Sequence, residues 1–177
     1  KSIGNVINPS EVIELFAPLT DYPGEVLRFI LLHEIPSFED GDLTMDSIKT
    51  AYTAYLVNGI GNLTNRIMKM AITNGVSFTI EKEDLDLEDF NLFNVQGAIR
   101  NVTLTMNSLD ETIAINEPFK VVKVDEAKGK QMIYECLAGL SRFAQRLSIF
   151  MPQTSAKILE CISENKMPEE PLFNRFS

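Results

Sequence analysis

The sequence predicts an all-α protein, a helical bundle preceded by a short linking segment. Apolar residues recur at intervals of three and four over several long stretches, the spacing that places them on one face of an α-helix. Helix-capping residues precede these stretches, and glycine or proline follows them. Since the connections between the stretches are short, the helices are expected to pack against their sequence neighbours as a bundle.

The linking segment is predicted to hold two helices. The first should begin at Pro9, since proline suits the first helical position and Asn8 before it can act as the cap. This helix should end near residue 17. The second is expected to follow Pro23 or Gly24 and to run to about residue 34.

The strongest helical pattern covers residues 45–73, with Thr44 as its cap and Asn74-Gly75 as its stop signal. Its apolar face comprises Ile48, Tyr52, Tyr55, Leu56, Gly59, Leu63, Ile67 and Met70. A second stripe on the same helix is polar and comprises Asn58, Asn62, Asn65, Arg66 and Lys69. The stretch 76–80 after the stop signal is expected to be briefly extended.

Three more helices are expected, over residues 87–115, 126–150 and 154–163. Glu117-Pro118-Phe119 separates the first two, and Pro152 separates the last two. The tail to Ser177 should be a loop packed on the surface. The core candidates are Phe90, Phe93, Ala98, Val102, Met106, Leu109, Ile133, Cys136, Leu140, Phe143, Leu147 and Phe150.

The charge of the 177-residue chain is uneven. Its net charge of −9 argues against nonspecific nucleic-acid binding over the whole surface, and DNA is not an expected partner. Six of the nine residues at positions 81–89 are acidic, however, so basic residues elsewhere can still form one RNA-facing stripe. The apolar stretches are too short to cross a bilayer, and no membrane partner is expected.

No complete active site is evident from the residues. His33, the single histidine, has no cysteine or serine at motif spacing and is interpreted as a packed or surface helix residue. The acidic run at 81–89 and the segment 38–42 lack the residue order of a calcium loop, so no metal site is predicted. Cys136 and Cys161 lie on apolar helical faces, which favours reduced core thiols and a cytoplasmic location.

An ordered set of motifs carries a resemblance to class I aminoacyl-tRNA synthetases, and within them to the methionyl-tRNA synthetases. Lys1-Ser2-x-Gly4-Asn5 resembles the end of the family's Lys-Met-Ser-Lys-Ser loop. The other matching segments are 26–36 (VLRFILLHEIP), 38–44 (FEDGDLT), 61–66 (GNLTNR), 117–120 (EPFK), 150–158 (FMPQTSAKI) and 172–175 (LFNR). The Asp-Gly-Asp element together with Gly-Asn-Leu-x-x-Arg favours methionine over the valyl, leucyl and isoleucyl members.

The resemblance implies that a helical bundle recognises the CAU anticodon stem-loop of tRNA(Met). It assigns anticodon contacts to Asn62 and Arg66, and a stacking role to Phe119, where the family usually has tryptophan. Asn62 and Arg66 are four residues apart, so a helix would present both on one face. From there they could form hydrogen bonds to the edges of unpaired bases or stack on those bases. Asn58 and Lys69, on the same polar stripe, are predicted to assist.

The resemblance also implies roles for residues at the start of the sequence. Lys1 and Ser2 would bind ATP, and residues 1–43 would form the end of the signature loop and the linking segment. Residues 44–165 would then be the anticodon-binding bundle, and residues 166–177 the tail. A catalytic domain in cis, which would bind methionine and in some members zinc, is expected upstream, and this fragment alone is expected to be inactive.

Two alternatives remain open at this stage. One is a protein-interaction bundle that no longer binds RNA, which the net charge of −9 favours. The other is the equivalent domain of a valyl-, leucyl- or isoleucyl-type synthetase, since these share several of the motifs.

Overall fold

The computed structural model describes residues 7–35, 43–85 and 94–176, and within these ranges it is helical without strands. The elements are α1 (Pro9–Phe16), α2 (Pro23–Glu34), α3 (Met45–Ala51), a π-helical segment (Tyr52–Gly61), α4 (Asn62–Asn74), α5 (Val95–Asn116), α6 (Pro118–Val121), α7 (Glu126–Leu147) and α8 (Pro152–Glu164). The predicted all-α bundle is confirmed.

Some sequence predictions fall outside the described residues. These are the ATP-binding roles of Lys1 and Ser2, the loop at 38–42, the end of the acidic run at 86–89, and the predicted core positions Phe90 and Phe93.

Local capping explains where several helices begin. The Asn8 side chain accepts a hydrogen bond from the Ser10 backbone N–H at 3.0 Å, and Pro9 follows at the first position of α1. At α3, Thr44 and Ser47 form a reciprocal capping box, with bonds of 3.1 and 2.9 Å. Each cap satisfies a backbone donor that the helix itself leaves unpaired.

The helix predicted over residues 45–73 is continuous but not uniformly α-helical. Its middle, Tyr52–Gly61, adopts the wider π-helical turn. Gly59 lies where this segment meets α5, and a Cβ there would be 2.8 Å from the Met106 Sδ. The apolar spacing does not distinguish i→i+4 from i→i+5 bonding, which explains why the sequence did not predict the change.

Helix α7 is the centre of the bundle and packs against α4, α5, α6 and α8. Its predicted apolar face is buried throughout, from Ile133 to Leu147. The hydrophobic core is continuous and also includes Val12, Phe16 and Val26 of the linking segment. No helix within the described ranges combines the length and the apolar character that crossing a membrane would require.

The linking segment is joined to the far end of the bundle by polar contacts. The Arg28 guanidinium donates to the Phe150 carbonyl oxygen at 3.1 Å. The Lys157 Nζ lies 2.6 Å from the Asp21 carboxylate, and this pairing raises the pKa of Lys157. These contacts join α2 and the turn before it to α8 and the residues that precede α8.

The C-terminal tail differs from the prediction of a loop on the surface. It is non-helical after α8, but Leu172 and Phe173 are buried in the core. The fully buried Tyr52 hydroxyl donates to the Asn174 carbonyl at 2.8 Å, and the Asn174 N–H donates to the Leu19 carbonyl at 2.8 Å. Apolar burial and these backbone contacts together hold the tail against the π-helical segment.

Candidate nucleic-acid interface

A groove of about 370 Å³ lies between α4 and α6. It is lined by Arg66, Lys69, Met70, Thr73, Asn74, Phe119, Val122 and Lys123. Three of these residues are cationic and none is acidic. In a chain with a net charge of −9, the charged residues that line the groove are therefore all basic, and one aromatic ring lies among them.

The α4 wall of the groove follows from helical spacing. Arg66, Lys69, Met70 and Thr73 lie at positions i, i+3, i+4 and i+7, and so share one face of α4. Helix α4 ends at Gly75, which has a φ of 62°, a left-handed conformation that glycine adopts without strain. Arg66 and Lys69 are thus fixed on a regular helix, whereas Lys123 follows α6 in a turn.

The opposite wall depends on the corner between α5 and α6. Glu117 closes α5 in a left-handed conformation with a φ of 45°, and Pro118 then starts α6. Phe119 follows and remains 39% exposed. The chain reversal at Glu117 therefore presents an aromatic ring to solvent at the mouth of the groove.

Gly129 sets how closely α6 can approach α7. A Cβ at this position would lie 2.2 Å from the Val122 Cα, well inside van der Waals contact. Only glycine leaves room for the backbone of Val122 here. Because Val122 lines the groove, Gly129 indirectly positions this wall, although it lies outside the groove.

The groove brings together three of the predicted tRNA-contacting residues, Arg66, Lys69 and Phe119, although their role in RNA contact remains a prediction. Asn62, one turn before Arg66 on α4, is exposed but lies outside the lining. Asn58 falls in the π-helical segment, and its Oδ1 accepts a hydrogen bond from the Arg175 Nη2 at 3.0 Å.

Several groove residues were missed by sequence reasoning. Lys123 lies outside the helices that the sequence predicts, and Met70, which the sequence places on an apolar helix face, is only half-buried. Thr73 lies seven residues after Arg66, a spacing that places both on one face of α4. Lys123 follows Phe119 by four residues. This spacing places both side chains on one wall only because a short helix, α6, forms there, and the sequence did not predict that helix.

Other reactive groups do not form a catalytic site within the described part of the chain. Burial raises the pKa of the Cys136 thiol to about 11, and burial also raises the pKa of Cys161. Both thiols are therefore protonated near neutral pH, as expected of core residues. The His33 ring packs against Tyr55, with centroids 4.1 Å apart, and its Nδ1 lies 3.0 Å from the Glu34 carboxylate.

The described part of the acidic run makes structural contacts with α7. Glu83 pairs with Arg146 at 2.6 Å, and its backbone N–H donates to the Gln145 side chain at 2.9 Å. The Gln145 amide in turn donates to the Glu81 carbonyl at 2.9 Å. Across residues 7–35, 43–85 and 94–176, no group of three or more histidine, cysteine or acidic side chains is arranged to hold a metal ion.

Comparison with known proteins places this fold and its motifs in a class. Residues 1–68 match the family model described as tRNA synthetases class I (M). The structure superposes on the apo form of the Mycobacterium tuberculosis methionyl-tRNA synthetase with a TM-score of 0.77, at 19% identity, over 98% of this chain and 42% of that one. The chain thus shares the helical fold of the matching part of that synthetase.

Sequence relatives make the class more specific. The methionine–tRNA ligase of Brucella suis is 27% identical over 180 residues, which cover 92% of this chain and 34% of the relative. The methionine–tRNA ligase of Mycoplasmopsis pulmonis is 27% identical over 200 residues, covering 99% of this chain and 37% of the relative. The chain is therefore similar in sequence to methionine–tRNA ligases along most of its length, and it spans about a third of the length of these relatives.

Proposed function

We propose that this chain is the anticodon-binding part of a methionine–tRNA ligase. The groove between α4 and α6 would bind the CAU anticodon loop of tRNA(Met), so that the rest of the enzyme can attach methionine using ATP. The observation that carries the proposal is the clustering of Arg66, Lys69 and Lys123 beside the exposed ring of Phe119, without a carboxylate in the lining.

The chemistry of the groove suits an unpaired RNA loop. An exposed aromatic ring offers a stacking surface to a base, and the guanidinium of Arg66 offers a planar set of donors to a base edge. Lys69 and Lys123, on opposite walls, can each neutralise a backbone phosphate. Asn62 would extend the contact surface along α4, and Asn58 would do so once released from Arg175.

The remaining steps of the reaction would take place outside the groove. Lys1 and Ser2 would contact ATP phosphates, and a catalytic domain in cis would bind methionine and, in some members, zinc. The enzyme would act in the cytoplasm, where the reduced thiols of Cys136 and Cys161 would persist.

A protein-interaction bundle is the competing proposal, and the net charge of −9 favours it. It predicts that RNA binding is absent at every salt concentration. Anticodon recognition instead predicts binding that weakens as salt rises and that depends on the loop sequence.

The test is to measure the affinity of this chain for a CAU anticodon stem-loop and for stem-loops with each anticodon base changed. Phe119→Ala and Lys69→Ala are expected to weaken CAU binding by roughly tenfold each. Tyr134→Ala removes a comparably exposed aromatic ring from α7, and Lys49→Ala removes an exposed lysine from α3. Both of these controls should retain binding.

Equal binding of all stem-loops by the unmodified chain would rule out anticodon recognition. Equal losses in Phe119→Ala and Tyr134→Ala would show that the groove is not the binding site.

A further inference from the structure

Arg66 is held from outside the groove by Asp110. The Arg66 Nη1 donates a hydrogen bond to the Asp110 Oδ1, and the two side chains come from different helices, α4 and α5. Both side chains remain accessible, at 34% and 50% of their full exposure. Arg66 lines the groove, whereas Asp110 is not among the lining residues.

The geometry of a guanidinium makes this contact directional. Its five N–H donors lie in one plane, so a bond at one terminal nitrogen restricts how the other donors can point. With Nη1 engaged by Asp110, the remaining N–H groups of Arg66 are available to a ligand in the groove. Asp110 therefore limits the orientations that Arg66 can adopt.

The two kinds of RNA contact open to Arg66 differ in the information they carry. A contact to phosphate is independent of sequence, whereas a contact to a base edge discriminates among bases. A freely rotating arginine in an exposed groove can reach either. Asp110 restricts the plane of the Arg66 guanidinium, and its carboxylate repels a phosphate group. Both effects favour a contact between Arg66 and a base edge.

We propose that Asp110 is a positioning residue that makes Arg66 read a base edge instead of a phosphate, and so sets the anticodon specificity of the groove. This inference rests on the proposed anticodon-binding function. It assigns Asp110 an effect on discrimination between loops rather than on affinity alone.

The experiment compares Asp110→Ala with Glu111→Ala in binding to the CAU stem-loop and to the altered loops. Glu111 is the next residue on α5 and is exposed, so its substitution makes the same change in charge. Both variants should bind every loop more tightly, because each removes a negative charge. Only Asp110→Ala should reduce the ratio of cognate to altered-loop affinity, by roughly fivefold.

Salt dependence provides a second measurement. A released Arg66 that contacts phosphate should steepen the slope of log affinity against log salt by about 0.7 in Asp110→Ala and not in Glu111→Ala. When Arg66 is already replaced by alanine, Asp110→Ala should no longer change the ratio of cognate to altered-loop affinity. Asp110→Glu, which retains the carboxylate, should restore part of the discrimination.

The two proposals fail in distinguishable ways. If the unmodified chain does not discriminate among loops, the proposed function fails. If it does discriminate, but Asp110→Ala keeps the same ratio as Glu111→Ala or acts equally without Arg66, the positioning role of Asp110 is overturned.

Discussion

The buried carboxylate of Glu25 caps the start of α8 by accepting two hydrogen bonds from Thr154. The Thr154 backbone N–H and hydroxyl lie 3.0 and 2.7 Å from the Glu25 Oε2, and the Gln153 N–H lies 2.7 Å from the Oε1. Glu25 is only 4% exposed. A single side chain of α2 thus satisfies backbone donors of a helix 128 and 129 positions away.

Glu25→Ala is expected to lower the free energy of unfolding by about 2–3 kcal/mol, because it leaves buried helix donors without an acceptor. Urea denaturation would measure the change. Glu14→Ala, which removes an exposed carboxylate from α1, serves as the control and should change stability by less than about 0.5 kcal/mol. Equal stability of the two variants would contradict the capping role of Glu25.

Gly129→Ala should destabilise the bundle and weaken RNA binding together. The added methyl group would displace Val122, and with it α6, at a cost of about 1–3 kcal/mol. Gly24→Ala is the matched control, because a Cβ there meets nothing within 4 Å and should stabilise α2 by at most about 1 kcal/mol. Thermal melting and stem-loop binding would check both effects, and normal binding by Gly129→Ala would contradict the assigned position of α6.

Substitutions at Phe119 should separate stacking from apolar bulk. Phe119→Trp enlarges the aromatic surface and is expected to tighten binding of the CAU stem-loop by roughly threefold. Phe119→Leu retains apolar volume without an aromatic face and should weaken binding by roughly tenfold. Equal affinities of the leucine variant and the unmodified chain would show that Phe119 does not stack on a base.

Tyr52 should make the stability of the protein depend on pH at alkaline values. Burial raises the pKa of its hydroxyl from 10.0 to about 12, so the folded state holds this proton more tightly than the unfolded state does. The stabilisation is fully present below pH 10 and is lost as pH rises from 10 to 12. Tyr52→Phe should flatten this decrease in denaturation midpoints, whereas Tyr134→Phe, on an exposed ring, should not.

Tyr52→Phe should also lower stability by about 1 kcal/mol at neutral pH, since the hydrogen bond to the Asn174 carbonyl is lost. If the stability of Tyr52→Phe falls between pH 10 and 12 as steeply as that of the unmodified chain, the loss of stability at alkaline pH cannot be assigned to Tyr52.

Cys136 should resist alkylation in the folded protein. Burial, with a smaller contribution from Glu135, raises its pKa to about 11, so only about one thiol in a thousand is ionised at pH 8. Iodoacetamide labelling at pH 8, followed by mass spectrometry, should therefore be slow in buffer and rapid in urea. Rapid labelling of Cys136 in the native protein would contradict its buried position.

Local sequence patterns predict most of the helices and the faces that they bury. Thr44 predicted the start of a helix, and the apolar face from Ile133 to Leu147 was predicted before its partners were known. This was possible because capping and amphipathic spacing act over a few residues of the chain. The resemblance to methionyl-tRNA synthetases likewise lies in motifs that follow one another along the sequence.

Contacts between polar residues that are distant in the sequence follow from the way the helices pack. The Arg66–Asp110 pair joins residues 44 positions apart, and the Glu25–Thr154 cap joins residues 129 positions apart. Local spacing carries no information about such contacts, because they depend on how α4, α5 and α8 pack around α7. The same packing placed Lys123 beside Arg66 and drew Asn58 toward Arg175, which the polar stripe of one helix could not reveal.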